Sequence, residues 1–357
     1  MTLVANFCSD WVSAPGETIR EIMETQGIEI NQLATHLNLS IVQTINILDG
    51  SSQITIALAR SLAKLLGGSV EFWMARECQY REDLLRLHKD HSDWVQNLPI
   101  KDMVEFKWLK KFDDAAFGYL ACLRFFGVPS MAAWHKYFDG MASHYAFKKS
   151  ATVAPKPLSV TAWLRQGELE ARNVNCLQWD KARLREVLPE LRRLAKIKNP
   201  TEFFPQVQKI CSDCGVAVVA VRAPKGCPIS GATRFISKNK ALLLLSFRFL
   251  SDDHFWFSLF HEIGHLVLHG TDRLFIEEEG GDSTSQEEFE ANEFAETLLI
   301  PPKYREDLMK LKSDSQEIIR FSVRVGVPPG IVVGQLQHAG ILAHNKLNGL
   351  KRRYSWK

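Results

Sequence analysis

The chain has 357 residues, 46% hydrophobic and 24% charged, with 44 Lys/Arg against 41 Asp/Glu for a net charge of +3. That length accommodates two or three domains with their own cores, and the composition is ordinary for a soluble globular protein. "MTLVANFCSDW" shows no secretory leader and no stretch reaches the roughly 18 apolar residues of a membrane span, so no membrane partner and a cytoplasmic location are expected.

Seven cysteines, an odd number without framework spacing, suit a reducing compartment. The close pair Cys211 and Cys214 has no second CxxC beside it and reads as structural. Charge is uneven: residues 1–90 carry −4, residues 91–200 carry +7, and residues 201–357 balance.

Residues 17–88 read as a compact helical module. "ETIREIMETQG" places Ile19, Ile22 and Met23 at helical spacing, with Gly27 as stop. "INQLATHLNLSIVQTINILDG" gives a short helix, a tight turn at Asn38-Leu39-Ser40, and a second helix capped by Ser40. That is the helix-turn-helix pattern. From "ETIREIM" to "FWMARECQY" the segment resembles the HigA-type antitoxin branch of the phage-repressor-like family. The presumptive recognition helix offers Ser40, Gln43, Thr44 and Asn46 for base contacts. Yet "SIVQTINILDGSSQ" holds no Lys or Arg, so the electrostatic part of DNA binding is weak. DNA and a docked partner protein both stay open as its ligand, and a homodimer is one way to compensate.

Residues 91–200 read as mostly helical and basic, broken at "KKSATVAPKPLSV". After "FFPQVQKICSDCG" the period changes: "VAVVAVR", "CPISGATRFI" and "ALLLLSFRFL" predict three strands of a small antiparallel sheet. A long apolar helix follows, then the loop "TDRLFIEEEGGDSTSQ" and a helix "EEFEANEFAETLLI" stopped by Pro301-Pro302.

The apolar helix contains His261-Glu262-Ile263-Gly264-His265. Four residues apart, the histidines share a face about one turn apart, so both imidazoles reach one zinc with Glu262 beside them as base toward its water. A pair of core histidines is the competing reading, and it leaves two buried donors to satisfy. His269 lies about 12 Å of helix rise from His261, too far to join the same ion; a helix C-terminus favours a histidine in any case. Leu268 and Thr271 depart from the HExxHxxGxxH pattern. Among the carboxylates of the following helix, Glu288 is favoured over Glu290 as third ligand, because Asn292 lies four residues on, on the same face, to accept from the first histidine. Glu288-x-x-Ala291-Asn292 resembles the thermolysin-like Glu-x-x-Ser/Ala-Asp motif with Asn in place of Asp. Arg234, His254 and Tyr304 are equal candidates for stabilising an oxyanion, and "ISGATRFI" is the expected exposed edge for an extended peptide.

"HEIGHLVLH" with "EFEANEFAETLLIP" resembles the ImmA/IrrE family of zinc metallopeptidases, more weakly supported by "WLRQGELEA", "ISGATRFI" and "GIVVGQLQHAGIL". The resemblance implies one zinc per chain held by His261, His265 and Glu288, with Glu262 as catalytic acid/base. It also implies a protein substrate, a repressor or antitoxin encoded nearby. The fold expected is α+β and predominantly helical, in three parts: a helix-turn-helix domain over 1–90, a helical linker region over 91–158, and a zincin-like peptidase domain with C-terminal helices over 159–357. The runner-up function is a DNA-binding regulator or antitoxin whose zincin half senses or binds without cleaving.

Overall fold

Local capping chemistry sets the helices of the first 90 residues, and the computed structural model describes residues 9–112, 114–146, 156–269, 275–278 and 286–356. Helix α1 (Pro15–Gln26) stops at Gly27, which adopts a left-handed φ of 67°. Helix α2 (Ile30–Leu37) stops at Asn38, left-handed with φ 55°, and two residues later Ser40 caps α3 (Ile41–Leu48). Ser40 and Gln43 form a reciprocal capping box, each side chain bonding the other's backbone N–H. The expected helix-turn-helix is therefore present, closed by α4 (Ile56–Leu66) and α5 (Val70–Asp90). Its core joins Ile19, Leu33, Ile47, Leu62 and Trp73.

Helices α6 (Ser92–Asn97), α7 (Ile100–Glu105), α8 (Ala115–Phe126) and α9 (Met131–Ala146) follow. The chain divides into two compact units, Met1–Gly140 and Met141–Lys357. The window Ala115–Phe138 is long and apolar enough to cross a bilayer by length and composition, which corrects the expectation that no stretch is. Half of it is buried in the protein, and Gly127 at φ 71° followed by Pro129 divides it into α8 and α9.

The second unit opens with α10 (Pro157–Arg172), α11 (Lys181–Leu194) and α12 (Pro200–Ser212). Strands β1 (Val216–Ala220), β2 (Ile229–Ser237) and β3 (Lys240–Leu245) lead into α13 (Asp252–Leu268), then β4 (Phe275–Glu278) and α14 (Gln286–Leu299). Helices α15 (Arg305–Met309), α16 (Ser315–Val325) and α17 (Pro329–His338) complete the unit.

The sheet is four-stranded in the order β1-β3-β2-β4, and it is mixed, which corrects the expected antiparallel sheet of three strands. Strands β2 and β3 form a tight hairpin and are antiparallel. Strand β1 instead pairs parallel to β3, Val216 opposite Ala241. The unbroken apolar run of β1 is what a strand covered on both sides requires, and α10 and α12 cover it. Strand β2 has β3 on one side and β4 on the other, so "ISGATRFI" is not a free edge; the expected substrate edge is already paired.

Helix α10 lies against one side of the sheet and α13 against β2 and β3. Gly167 permits the first approach, since a Cβ there would stand 2.5 Å from Leu244. Gly264 permits close packing of α13 on α14, where its Cβ would meet the Ala291 Cα at 3.2 Å. The start of α13 is held by the last residues described. Asp252 N–H donates to Arg352 O (3.1 Å), Arg352 N–H to Asp252 Oδ1 (3.0 Å), and Tyr354 N–H to Leu250 O (2.7 Å). The Lys351 ammonium meets Asp253 at 2.6 Å, with both side chains buried.

Candidate metal centre

Helix α13 is buried along most of its length: His261, Glu262 and His265 are 1%, 0% and 0% exposed. Polar groups so placed need specific partners. The close approach of Gly264 to Ala291 brings the first turns of α14 alongside the two histidines. Glu288 Oε2 then lies 3.3 Å from His261 Nε2, and Glu288 Oε1 lies 3.7 Å from His265 Nε2. The two Nε2 atoms are 3.0 Å apart. Among the described residues, His261, His265 and Glu288 form the group whose ligand atoms fall within 4.8 Å of one another.

The other ring nitrogens fix which atoms face that point. His261 Nδ1 lies 2.9 Å from Asn292 Oδ1, a carbonyl oxygen that only accepts, so Nδ1 donates and Nε2 presents its lone pair. Asn292 thus supplies the acceptor that the related motif draws from Asp. On the second histidine, Nδ1 lies 3.0 Å from His269 Nδ1, and His269 Nε2 lies 3.2 Å from Glu290 Oε2. Three acceptors therefore converge, two imidazole nitrogens and a carboxylate. Separations near 3.3 Å suit a tetrahedron with metal–ligand bonds of roughly 2.0–2.1 Å. The donor set fits a borderline-soft divalent ion such as zinc.

Electrostatics agree with that fit. Burial pulls the His265 pKa down, which keeps a ligating imidazole neutral. Burial raises the Glu288 carboxyl, but the adjacent His261 and His265 rings outweigh it and bring the group well below the usual carboxylate range. A cation at the same point acts on Glu288 in the same direction.

Glu262 faces the sheet. The Thr233 hydroxyl on β2 donates to Glu262 Oε2, and Gly231 leaves the room its carboxylate occupies: a Cβ there would stand 2.5 Å from Oε1. Neither contact is legible from the chain, because strand and helix residues 29 and 31 positions apart meet only in the fold. The period of two along β2 turns the neighbouring Arg234 to the opposite side, where it bonds Glu168 of α10. Arg234 is thereby removed from the oxyanion candidates. His254 lies about 10 Å of helix rise before His261, its ring 4.1 Å from Phe249. Tyr304 packs among Phe321, Lys303 and Arg324.

The remaining expected residues separate cleanly. Glu290 meets His269 rather than the pair of Nε2 atoms, and Glu296 pairs with Arg305 at 3.1 Å. Cys211 and Cys214 are fully buried thiols, each pushed up by burial. In the first unit Ser40 and Gln43 are exposed but engaged in capping, and Asn46 is half-buried. Thr44 is 0% exposed with its hydroxyl on Ser40 O, so its side chain faces the core and does not present itself to a base. Ile41, Val42 and Ile45 of the same helix are 49%, 64% and 40% exposed.

Residues 219–336, which include every residue of this cluster, match the model of the IrrE N-terminal-like domain family, Peptidase_M78. No curated protein matches the chain. Among solved structures, an addiction module antidote protein of a HigA family from Coxiella burnetii aligns with the N-terminal region. The alignment has 29% sequence identity and a TM-score of 0.21, and covers 24% of this chain and 92% of that chain.

Proposed function

We propose, from the match of residues 219–336 to the IrrE N-terminal-like peptidase domain, that the chain is a zinc-dependent endopeptidase acting on a regulatory protein. The observation that carries the reading is the convergence of His261 Nε2, His265 Nε2 and the Glu288 carboxylate, with Glu262 buried beside them. His261, His265 and Glu288 would hold one zinc. When bound, that ion polarises a peptide carbonyl and lowers the pKa of its water to about 7. Glu262 takes a proton from the attacking water and delivers it to the leaving amine nitrogen. Thr233 holds one oxygen of Glu262 and so fixes the plane of the carboxylate. Asn292 keeps His261 in the tautomer whose Nε2 accepts.

The functional division that goes with this reading is a helix-turn-helix domain over 1–90, a helical segment over 91–158, and the peptidase over 159–357. The substrate is a repressor or antitoxin, in a stress, mobile-element or toxin–antitoxin programme. Six described cysteines are free thiols, which supports a reducing cytoplasm.

A specific observation bears on the first domain. Segment 26–59 contains no Lys or Arg, and α3 presents Ile41, Val42 and Ile45 to solvent where a DNA reader would present donors. That surface suits a protein partner better than a phosphate backbone. DNA contact through Ser40, Gln43 and Asn46 is the second reading, that of a regulator or antitoxin that binds without cleaving.

The test is metal analysis and cleavage together. Purified protein should carry about one zinc per chain, keep it in Glu262→Gln, and lose it in His261→Ala or His265→Ala. A regulator encoded nearby should be cut, casein should not, and Glu262→Gln should abolish the cut. A phenotype that survives Glu262→Gln but disappears with Gln43→Ala and Asn46→Ala would establish the repressor instead.

A further inference from the structure

The geometry points to His269 and Glu290 as positioning residues for the metal centre: His269 accepts a hydrogen bond from His265 and is itself anchored by the Glu290 carboxylate. The inference rests on the zinc site proposed above, and it assigns a role to two residues that site does not use.

The protonation pattern follows by elimination from one end. An ionised carboxylate only accepts, so His269 Nε2, 3.2 Å from Glu290 Oε2, must be the donor. In a neutral ring the other nitrogen then carries the lone pair, so His269 Nδ1 accepts. Its partner at 3.0 Å, His265 Nδ1, must therefore donate. With its proton on Nδ1, His265 turns an unprotonated Nε2 toward His261 and Glu288. Gln286 Nε2 donates to the second Glu290 oxygen at 2.8 Å and fixes the carboxylate at the far end.

Each ligating histidine is thus oriented by a different device. His261 has the single side-chain oxygen of Asn292; His265 has a chain of two residues that ends in a negative charge. A carboxylate at the end of the chain increases the basicity of the His265 ring, as well as holding its tautomer and tilt. The His269 side chain is only 6% exposed, so the first link is shielded from water, whereas Glu290 is 41% exposed. Orientation should accordingly depend more on His269 than on Glu290. The helix-terminus role expected for His269 from the chain alone accounts for neither bond.

The experiment is a zinc competition titration of the full chain against a chromophoric chelator, with melting of each metal-free variant as a folding control. His269→Leu should weaken zinc about 10- to 100-fold. His269→Asn places Oδ1 where Nδ1 stood and should recover most of that loss. Glu290→Leu should cost less than His269→Leu, and adding it to His269→Leu should cost nothing more, because the chain is already broken. Rescue by Asn and this non-additivity are effects that a merely structural histidine would not produce. Wild-type affinity in His269→Leu, or equal losses in His269→Leu and His269→Asn, would overturn the assignment while leaving the site standing. Should His269→Leu fail to fold, unchanged affinity in Glu290→Leu would overturn it as well. A wild-type chain that takes up no zinc would overturn both the assignment and the site.

Discussion

Gly231 ties a single residue to the site, because its missing Cβ is the space that the Glu262 carboxylate fills. Gly231→Ala should displace that carboxylate while leaving the three ligand atoms alone. Cleavage of the regulator substrate should fall on the order of 100-fold with zinc stoichiometry unchanged, measured by turnover and metal analysis on the same sample. Glu288 is tested against its neighbours in the same way. Glu288→Ala should weaken zinc far more than Glu290→Ala or Glu293→Ala, and equal affinities would remove Glu288 from the site. Such residues differ in how visible they are in the chain. His261, Glu262 and His265 are legible because a helix repeats every 3.6 residues and their spacing is local. Glu288 and Asn292 are legible as a pair one turn apart on the next helix. Thr233 and Gly231 are not, since their roles depend on how a strand registers against a helix. The His269 contact is local too, because its partner is His265, one turn away, and not the more distant His261.

Helix α13 as an element carries a buried charge at its start. Burial, reinforced by neighbouring Asp253, raises the Asp252 carboxyl from the ordinary 3.8 to about 6, against the bonds it accepts from Arg352 and Asp253. A raised carboxyl means that the folded state binds its proton more tightly than the unfolded one. Stability is therefore greatest below about pH 4 as far as this group is concerned, and falls as pH rises toward 6 and above. The cost is on the order of 3 kcal/mol at most. Asp252→Asn should keep the accepting oxygen and remove the charge, so it should melt higher than wild type at pH 7.5. That advantage should shrink toward pH 4, and an advantage independent of pH would refute the assignment. At this scale the helices were readable from caps and stops, and Asn38 and Ser40 alone locate the turn between α2 and α3. Strand pairing was not readable. The order β1-β3-β2-β4 depends on β4, a four-residue strand within what reads as a polar loop, and a strand so short carries almost no periodic signal.

For the whole molecule, the division into Met1–Gly140 and Met141–Lys357 puts all the metal-centre residues in one unit with its own core. A fragment over 156–357 should bind zinc as tightly as the full chain, by the same competition titration. Cleavage of a regulator, in contrast, should suffer when α3 is altered: Ile41→Asp with Val42→Asp should slow cleavage without changing zinc affinity, if that face recruits the substrate. Net charge at this scale was misleading, because a chain of +3 places its excess of acid on the very module whose pattern suggests DNA. The backbone bonds between residues 250–252 and 352–354 carry a further consequence, one of time. A ribosome delivers residues in order at roughly 5–20 per second, and domains fold as their parts arrive. Helix α13 is made first, and Asp253 has no Lys351 and Leu250 no Tyr354 until about a hundred further residues have been made. The start of the helix that bears the two histidines therefore gains these partners only once residues 351–354 have been made, about a hundred positions after the helix begins.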